Sequence, residues 1–405
     1  MNFDIIILGS DANAYYMARC YHELTNRKAN LIGKTKLAFT KFSNILEINY
    51  EPDIWKEEKF VSIINNLANK LSAENVLLVS TNETYTEFIA KYYNDLDSKL
   101  HFNKIDLALL KTLTNKEEFY KTYKKSVLTF PETFYYDCKK SSILPSTLTY
   151  PIIVKPANVV MFNHLNFDGK KKIYKLETEK ELEDTITAIK KGSYTDRLII
   201  QEYIPGGDDH LFDSVVYVDR NHKVSLITFA QIGLQERTKT MVGNAAVLIN
   251  GFSTFDVDTS EMKKNIISFM ETIQYHGFAE IDMKYDARDK TFKVLEINAR
   301  QGRSSYYVSA LGKNLIDVMV KDLIKKEDEI LTDLDKEQLL TFVPKGIIKK
   351  YIDNPEFKKK AMQLWKKKRV MPMIYENDRN LKRFLMTRRR LWNYYKEYKN
   401  SDWRS

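Results

Sequence analysis

The stretch LEINARQGRSSYY, residues 295–307, sets Glu296 and Asn298 one residue apart and follows them with Arg300, Arg303 and two serines. Asp282 precedes Glu296 by fourteen positions. Two carboxylates and an amide oxygen are hard ligands, the kind Mg²⁺ takes when substrate phosphates and water complete its shell, with Mn²⁺ as the alternative ion. Guanidiniums beside such a site present fixed forks of donors to a phosphoryl group or an oxyanion. The chemistry these types suggest is phosphoryl transfer, where positioning and charge neutralisation do most of the catalysis. The same trio also occurs on solvated sheet faces, so the elements that carry it decide.

FAEIDMKYDARDKTFKVLEINAR, residues 278–300, reads as a hairpin turning at DARDK. Facing strands then bring Asp282 towards Glu296, and strand alternation turns Glu296 and Asn298 to one face. Lys155 ends the apolar strand of YPIIVKPA just before a proline, where an ammonium can sit over a phosphate; Lys116 in NKEEF can do likewise. IIQEYIPGGDD ends another apolar strand at Gln201, Glu202, Tyr203 and Ile204, whose free backbone groups can read an adenine edge, and Asp209 follows seven residues after Glu202.

A chain of 405 residues implies two or three domains, and 43% hydrophobic residues in varied order make it globular rather than disordered. FDIIILGSDANAYYMARCYHEL reads as a buried parallel strand, a turn at Gly9 and an amphipathic helix capped by Ser10 or Asp11. That turn is no GxGxxG fingerprint; helix capping explains it, and an anion bound at the helix N-terminus is the other reading. KLAFT and NVLLVST read as further strands of a βαβ domain over residues 1–112. Residues 113–205 read as a compact α+β unit, PGGDD as a hinge, and residues 206–345 as alternating strands. The expected class is α/β together with α+β.

Cys20 and Cys138 fit no disulfide framework or zinc spacing and read as buried small hydrophobes. The apolar run Ile5–Leu8 is too short for a signal or a membrane span, so a cytoplasmic protein is expected. Residues 341–405 hold 19 Lys/Arg against 6 Asp/Glu, whereas the other 340 residues hold 45 against 48. The basicity therefore belongs to the tail, and a nucleic-acid face across the body is not expected.

In order and type, these residues resemble the ATP-grasp superfamily of carboxylate–amine ligases over roughly residues 1–340. VLEINARQGRSS is similar to the metal-and-arginine strand of its carbamoyl-phosphate synthetase-type members. The resemblance implies an N-terminal Rossmann-like domain, a small lid, a larger catalytic subdomain, and ATP with Mg²⁺. By it Asp282, Glu296 and Asn298 hold the metal, Arg300 and Arg303 stabilise charge, and Lys116 and Lys155 contact nucleotide phosphates. Glu202 meets the adenine amine, with Gln201, Tyr203 and Ile204 lining the ring, and Asp209 stands for the ribose-binding acid, shorter than the usual glutamate. The lid stretch NVVMFNHLNFDGKKK departs from the pattern: it has one glycine where members carry several, leaving Lys170, Lys171 or Lys172 for the phosphates.

ILGSDANAYYMARCYHE and HLNFDGKKKIYKL are further similar to the Gram-positive D-aspartate ligase group. That likeness implies D-aspartate joined through its side-chain carboxylate to the lysine amine of a UDP-linked muropeptide precursor. Ser10, Asp11, Arg237 and Lys239 flank the inferred cleft and are the candidates for substrate recognition, with a solvated loop as the alternative for each. His164 and His210 sit near the lid and hinge. A ligase of the same mechanism joining another amino acid or peptide, and a non-catalytic ATP-binding subunit, are the competing readings; the intact set of metal ligands and Arg300 speaks against the second.

Residues 346–405 form a basic helical extension. In LKRFLMTRRRLWNYYKEYKN, Leu381, Phe384, Leu385, Leu391, Trp392 and Tyr395 fall near one helical face among Arg and Lys. This suits peripheral contact with an anionic membrane. Packing of that face on the body, or a clamp for the phosphates of a nucleotide-linked precursor, are the alternatives.

Overall fold

In the computed structural model, which describes residues 2–140, 144, 148–157, 161–162, 164–171, 173–237, 241 and 243–401, three sheets follow one another along the chain. The first is parallel: β1 (Asp4–Leu8), β2 (Ala29–Gly33), β3 (Leu46–Tyr50), β4 (Val76–Ser80) and β5 (Leu100–His101), in the order β3–β2–β1–β4–β5. β1 lies at the centre with all its residues buried, which is why DIIIL shows no polar alternation.

The helix Ala12–Thr25 starts at Asp11, whose side chain accepts from the Ala14 N–H, so Asp11 and not Ser10 is the cap. Gly9 before it has a φ of +127°, and a Cβ there would collide with Thr81 Oγ1. Only glycine fits that turn. KLAFT is not a strand. Ala38–Lys41 is a single helical turn, because β2 and β3 take the sheet positions and Thr40 Oγ1 bonds instead to the Ser10 carbonyl.

The second sheet is antiparallel, β6 (Thr133–Asp137), β7 (Ile152–Pro156), β8 (Tyr174–Leu176) and β9 (Arg197–Glu202), in the order β6–β9–β7–β8. The helix Glu179–Lys191 buries Leu182, Ile186 and Ile189, one side of an i, i+4, i+7 pattern. The third sheet contains β10 (Leu211–Val218), β11 (Val224–Thr228), β12 (Ala230–Gln235), β13 (Ala245–Asn250), β14 (Gly277–Asp286), β15 (Thr291–Asn298), β16 (Thr332–Leu334), β17 (Gln338–Thr341) and β18 (Arg369–Val370). Its order is β15–β14–β10–β12–β13–β17–β18, with β11 joining β10 to β16. The expected hairpin is β14–β15. We propose 1–112, 113–205, 206–345 and 346–405 as the domain division, although β18 of the last stretch pairs with β17 of the one before.

The tail adds the helices Lys345–Tyr351, Pro355–Lys367 and Leu381–Lys399. In the terminal helix the buried residues are Arg383, Tyr394 and Tyr398, while Leu381, Phe384, Leu385, Trp392 and Tyr395 are exposed. The apolar stripe is thus largely uncovered; Leu391 leans on the core and Tyr395 lies partly against Gly346. Both cysteines are buried and free. Among the described residues, no helix is long and apolar enough to cross a membrane.

Candidate active site

Three neighbouring strands put three carboxylates in a row. Asp213 on β10 faces Asp282 on β14, and Asp282 faces Glu296 on β15. One step along the ladder, Glu280 faces Asn298, whose Nδ2 donates to Asp282 Oδ2 at 3.1 Å. Ser304 Oγ hydrogen-bonds both Asp213 Oδ2, at 2.9 Å, and Glu280, its single proton serving one of the two. Burial first, and then their acidic neighbours, push Asp213 and Asp282 well above the usual carboxylate range. Such crowding is relieved by a cation, and a hard divalent ion suits the donors Asp282, Glu296 and Asn298. No group of three His, Cys, Asp or Glu side chains is arranged as a metal cage among the described residues. Two carboxylates and an amide leave the remaining ligand positions to phosphate and water, as Mg²⁺ prefers.

Opposite this row stand two ammoniums. Lys116 begins the helix Lys116–Tyr123, capped by Asn115, and its Nζ lies 2.6 Å from Glu296 Oε2. Burial disfavours both charges, yet the pairing wins, holding Lys116 above and Glu296 below their ordinary values. Lys155 on β7 donates to Gln201 Oε1 at 3.1 Å. Burial, then repulsion from Lys116, pushes Lys155 down to about 7. An ammonium so poorly compensated is set to receive an anion.

The first domain closes the cleft. Asn13 Nδ2 donates to the carbonyls of Thr81 and Gln301, tying the first helix to the loop after β15. Asp11 reaches the cleft, and burial raises its carboxyl pKa. Arg300 bridges to Glu83 at 2.6 Å and keeps its buried Nε without a partner. Arg303 is more fully committed: Nη1 pairs with Glu236 at 2.7 Å, Nη2 donates to the Ala245 carbonyl, and its plane lies 3.9 Å from the Phe342 ring centroid. Asp11, Lys116, Lys155, Asp282, Glu296, Asn298, Arg300 and Arg303 therefore line one cleft of about 1700 Å³.

Other expected residues lie off its wall. Gln201 reaches it only through Lys155, while Glu202 gives its oxygens to Lys293 and Arg288, each at 2.8 Å. Tyr203 stacks under Lys175 and Lys284, and Ile204 is buried. Asp209 accepts from Asn354 Nδ2 and contacts His210. Ser10 Oγ donates to the Thr35 carbonyl. Arg237 lies between Tyr351 and Tyr398 of the tail. His164 is exposed away from the cleft. Lys170 and Lys171 bond within their own turn, while Lys172 and Lys239 lie outside the described residues.

No family model matches the chain. At 31% identity over 97% of its length and 95% of the relative's, it is similar to a D-aspartate ligase of Enterococcus faecium (strain Aus0004). The chain belongs to the D-aspartate ligase family. Its structure is similar to an L-amino acid ligase from Bacillus licheniformis, with 16% identity, a TM-score of 0.56, and coverage of 80% of this chain and 74% of that one. An N5-carboxyaminoimidazole synthetase from Staphylococcus aureus gives 14% identity and a TM-score of 0.59, over 88% of this chain and 89% of that one. The fold of this D-aspartate ligase family member is ATP-grasp, and it is an ATP-dependent carboxylate–amine ligase.

In this ligase, sequence reasoning misses Asp213, Glu280 and Ser304. Glu280 carried a signal, since strand alternation puts it on the face of Asp282. Asp213, a lone acid inside the apolar run of β10, carried another. Ser304 had none beyond its neighbourhood.

Proposed function

We propose that this ligase joins D-aspartate, through its side-chain carboxylate, to the lysine amine of a UDP-linked muropeptide precursor. The likeness to a D-aspartate ligase over nearly the whole of both chains carries the reading. In the reaction, a carboxylate oxygen of the amino acid attacks the γ-phosphorus of ATP and ADP leaves. The amine then attacks the acyl carbon, inorganic phosphate departs, and the nitrogen loses a proton.

Asp282, Glu296 and Asn298 would hold Mg²⁺, or Mn²⁺ in its place, which supplies positive charge to the transferring phosphates. Lys116 and Lys155 neutralise phosphate oxygens from the opposite wall. Arg300, with a donor still free, meets the charge that develops on the phosphoryl group and then on the tetrahedral oxyanion. Arg303, anchored by Glu236, holds its positive field at the far side of the cleft. We assign Gln201, Glu202, Tyr203, Ile204 and Asp209 to the adenosine side, and Asp11 to the amino-acid side. ATP and nucleotide-linked precursors are cytoplasmic pools, so we place the reaction in the cytoplasm, with the basic tail as its contact with the inner face of the membrane.

The test is phosphate release from ATP and Mg²⁺ by the purified full-length protein, across D- and L-amino acids, with and without a lysine-containing muropeptide precursor. Release with D-aspartate and precursor alone, and a mass gain of one amide-linked aspartyl residue, is the expected outcome. Release with another pair keeps the ligase and discards the substrate. Tight ATP binding without release under any pair would leave a nucleotide-binding subunit instead.

A further inference from the structure

The terminal helix Leu381–Lys399 has two faces, and the body covers only one. At 3.6 residues per turn, Arg383, Tyr394 and Tyr398 share the inward face and are buried. Across from them Leu381 is 73% exposed, Phe384 53%, Leu385 56%, Trp392 66% and Tyr395 45%. Large apolar side chains gathered on one uncovered helix face are not the scattered exposure that needs no explanation. Lys382, Arg388, Arg389, Lys396 and Lys399 are exposed among and beside them. The helix has one acid, Glu397, which turns towards Arg390 at 3.8 Å and buries one oxygen. The outer face is therefore apolar and cationic, with no exposed carboxylate of its own.

We propose that this face is a docking surface for an anionic lipid bilayer. Leu381, Phe384, Leu385 and Trp392 enter the boundary between headgroups and acyl chains, and the lysines and arginines meet lipid phosphates. Indole and phenol rings suit that depth because one end is apolar and the other polar. Charge alone would also suit nucleic acid, but a phosphate backbone offers no apolar layer to Leu381 and Leu385. The inner face links the surface to the cleft: Arg383 Nη1 donates to the Phe39 carbonyl, and Leu37, Ala38 and Phe39 line the cleft rim. Docking would thus hold the cleft close to the bilayer. The surface stands on the geometry of the tail and holds whichever amine the cleft accepts.

The experiment cosediments the full-length protein with vesicles of phosphatidylcholine alone and of phosphatidylcholine mixed with phosphatidylglycerol. Binding to the anionic vesicles only, weakening as salt rises, is expected. The triple variant Arg388→Glu, Arg389→Glu, Trp392→Ser should lose about tenfold or more of that binding while keeping its ATP turnover in solution. Absence of binding to anionic vesicles, or equal binding by the variant, overturns the proposal. So does duplex DNA binding that the vesicles fail to displace. Because turnover is read without vesicles, loss of the surface and loss of the ligase activity remain separable.

Discussion

In the β14–β15 hairpin the acids Asp282 and Glu296 turn into the cleft. Asp282 and Glu296 face one another under Lys116 and Lys155, and the alternate residues Ile281, Met283 and Ile297 back onto the core. In the terminal helix Lys382, Arg388, Arg389, Lys396 and Lys399 turn outward, while Arg383 and the half-buried Arg390 share the inward side with Tyr394 and Tyr398. Arg383 is not stranded there: it pairs with buried Asp378 at 3.0 Å and stacks on Tyr15. The hairpin encloses charges whose full compensation awaits a ligand, as the raised Asp282 and depressed Lys155 show. The helix pairs its most deeply buried charge, Arg383, within the chain and leaves its outward charges to solvent. Uncompensated buried charge marks the site of chemistry, and compensated buried charge marks an anchor.

The comparison breaks most severely if the hairpin's carboxylates prove dispensable. Glu296→Gln is expected to lower phosphate release by about 10²–10³ with the melting temperature nearly unchanged; normal turnover would remove the metal assignment. Lys155 sharpens the same point through pH. Its pKa of about 7 leaves it mostly neutral at about pH 8, and bound phosphates restore its charge. ATP binding should then take up a proton, and affinity should fall as pH rises above 7. Calorimetry in buffers of different ionisation enthalpy reads the uptake, which Lys155→Met should abolish. No uptake in the parent protein would contradict the depressed pKa.

A smaller effect is expected where the two regions meet. Tyr394 OH donates to Glu236 Oε1 at 2.9 Å, the oxygen that also pairs with Arg303. Tyr394→Phe should cost about 1–3 kcal/mol of stability and lower kcat several-fold more than it raises KM. In an Arg303→Lys background the kcat effect should vanish, since both changes act on one network; an undiminished effect would separate the helix from the cleft. Smallest of all, Trp392→Ser should shift stability by no more than about 0.5 kcal/mol in solution, measured by urea unfolding, because its side chain is 66% exposed. A larger loss would mean that the outer face is covered.

Strand alternation made the hairpin legible. A period of two admits only two faces, so once Glu296 and Asn298 share one, the partner strand and the turn fix where Asp282 must be. KLAFT misled because its apolar residues fit a strand as well as a rim turn, and sheet places are allotted by pairing rather than by composition. The residues proposed for the adenosine side were less legible. Glu202 lies at the end of an apolar strand as expected, yet Lys293 and Arg288, distant in the chain, take its oxygens. Arg237 looked like a cleft residue until the tail folded over it.

The sequence by itself determined which strand pair carries the metal-type ligands, that two lysines precede it in separate elements, and that charge is concentrated in the tail. These follow from periodicity and residue chemistry, which are local. Only the tertiary structure decided which carboxylates crowd together, with Asp213 brought beside Asp282 from a third strand, and which face of the terminal helix is hidden. A helix presents a continuous surface, and the side it buries is set by the partners it meets: Glu236, Gln235 and Asp378 hold Tyr394, Tyr398 and Arg383 inward, so the aliphatic stripe faces out.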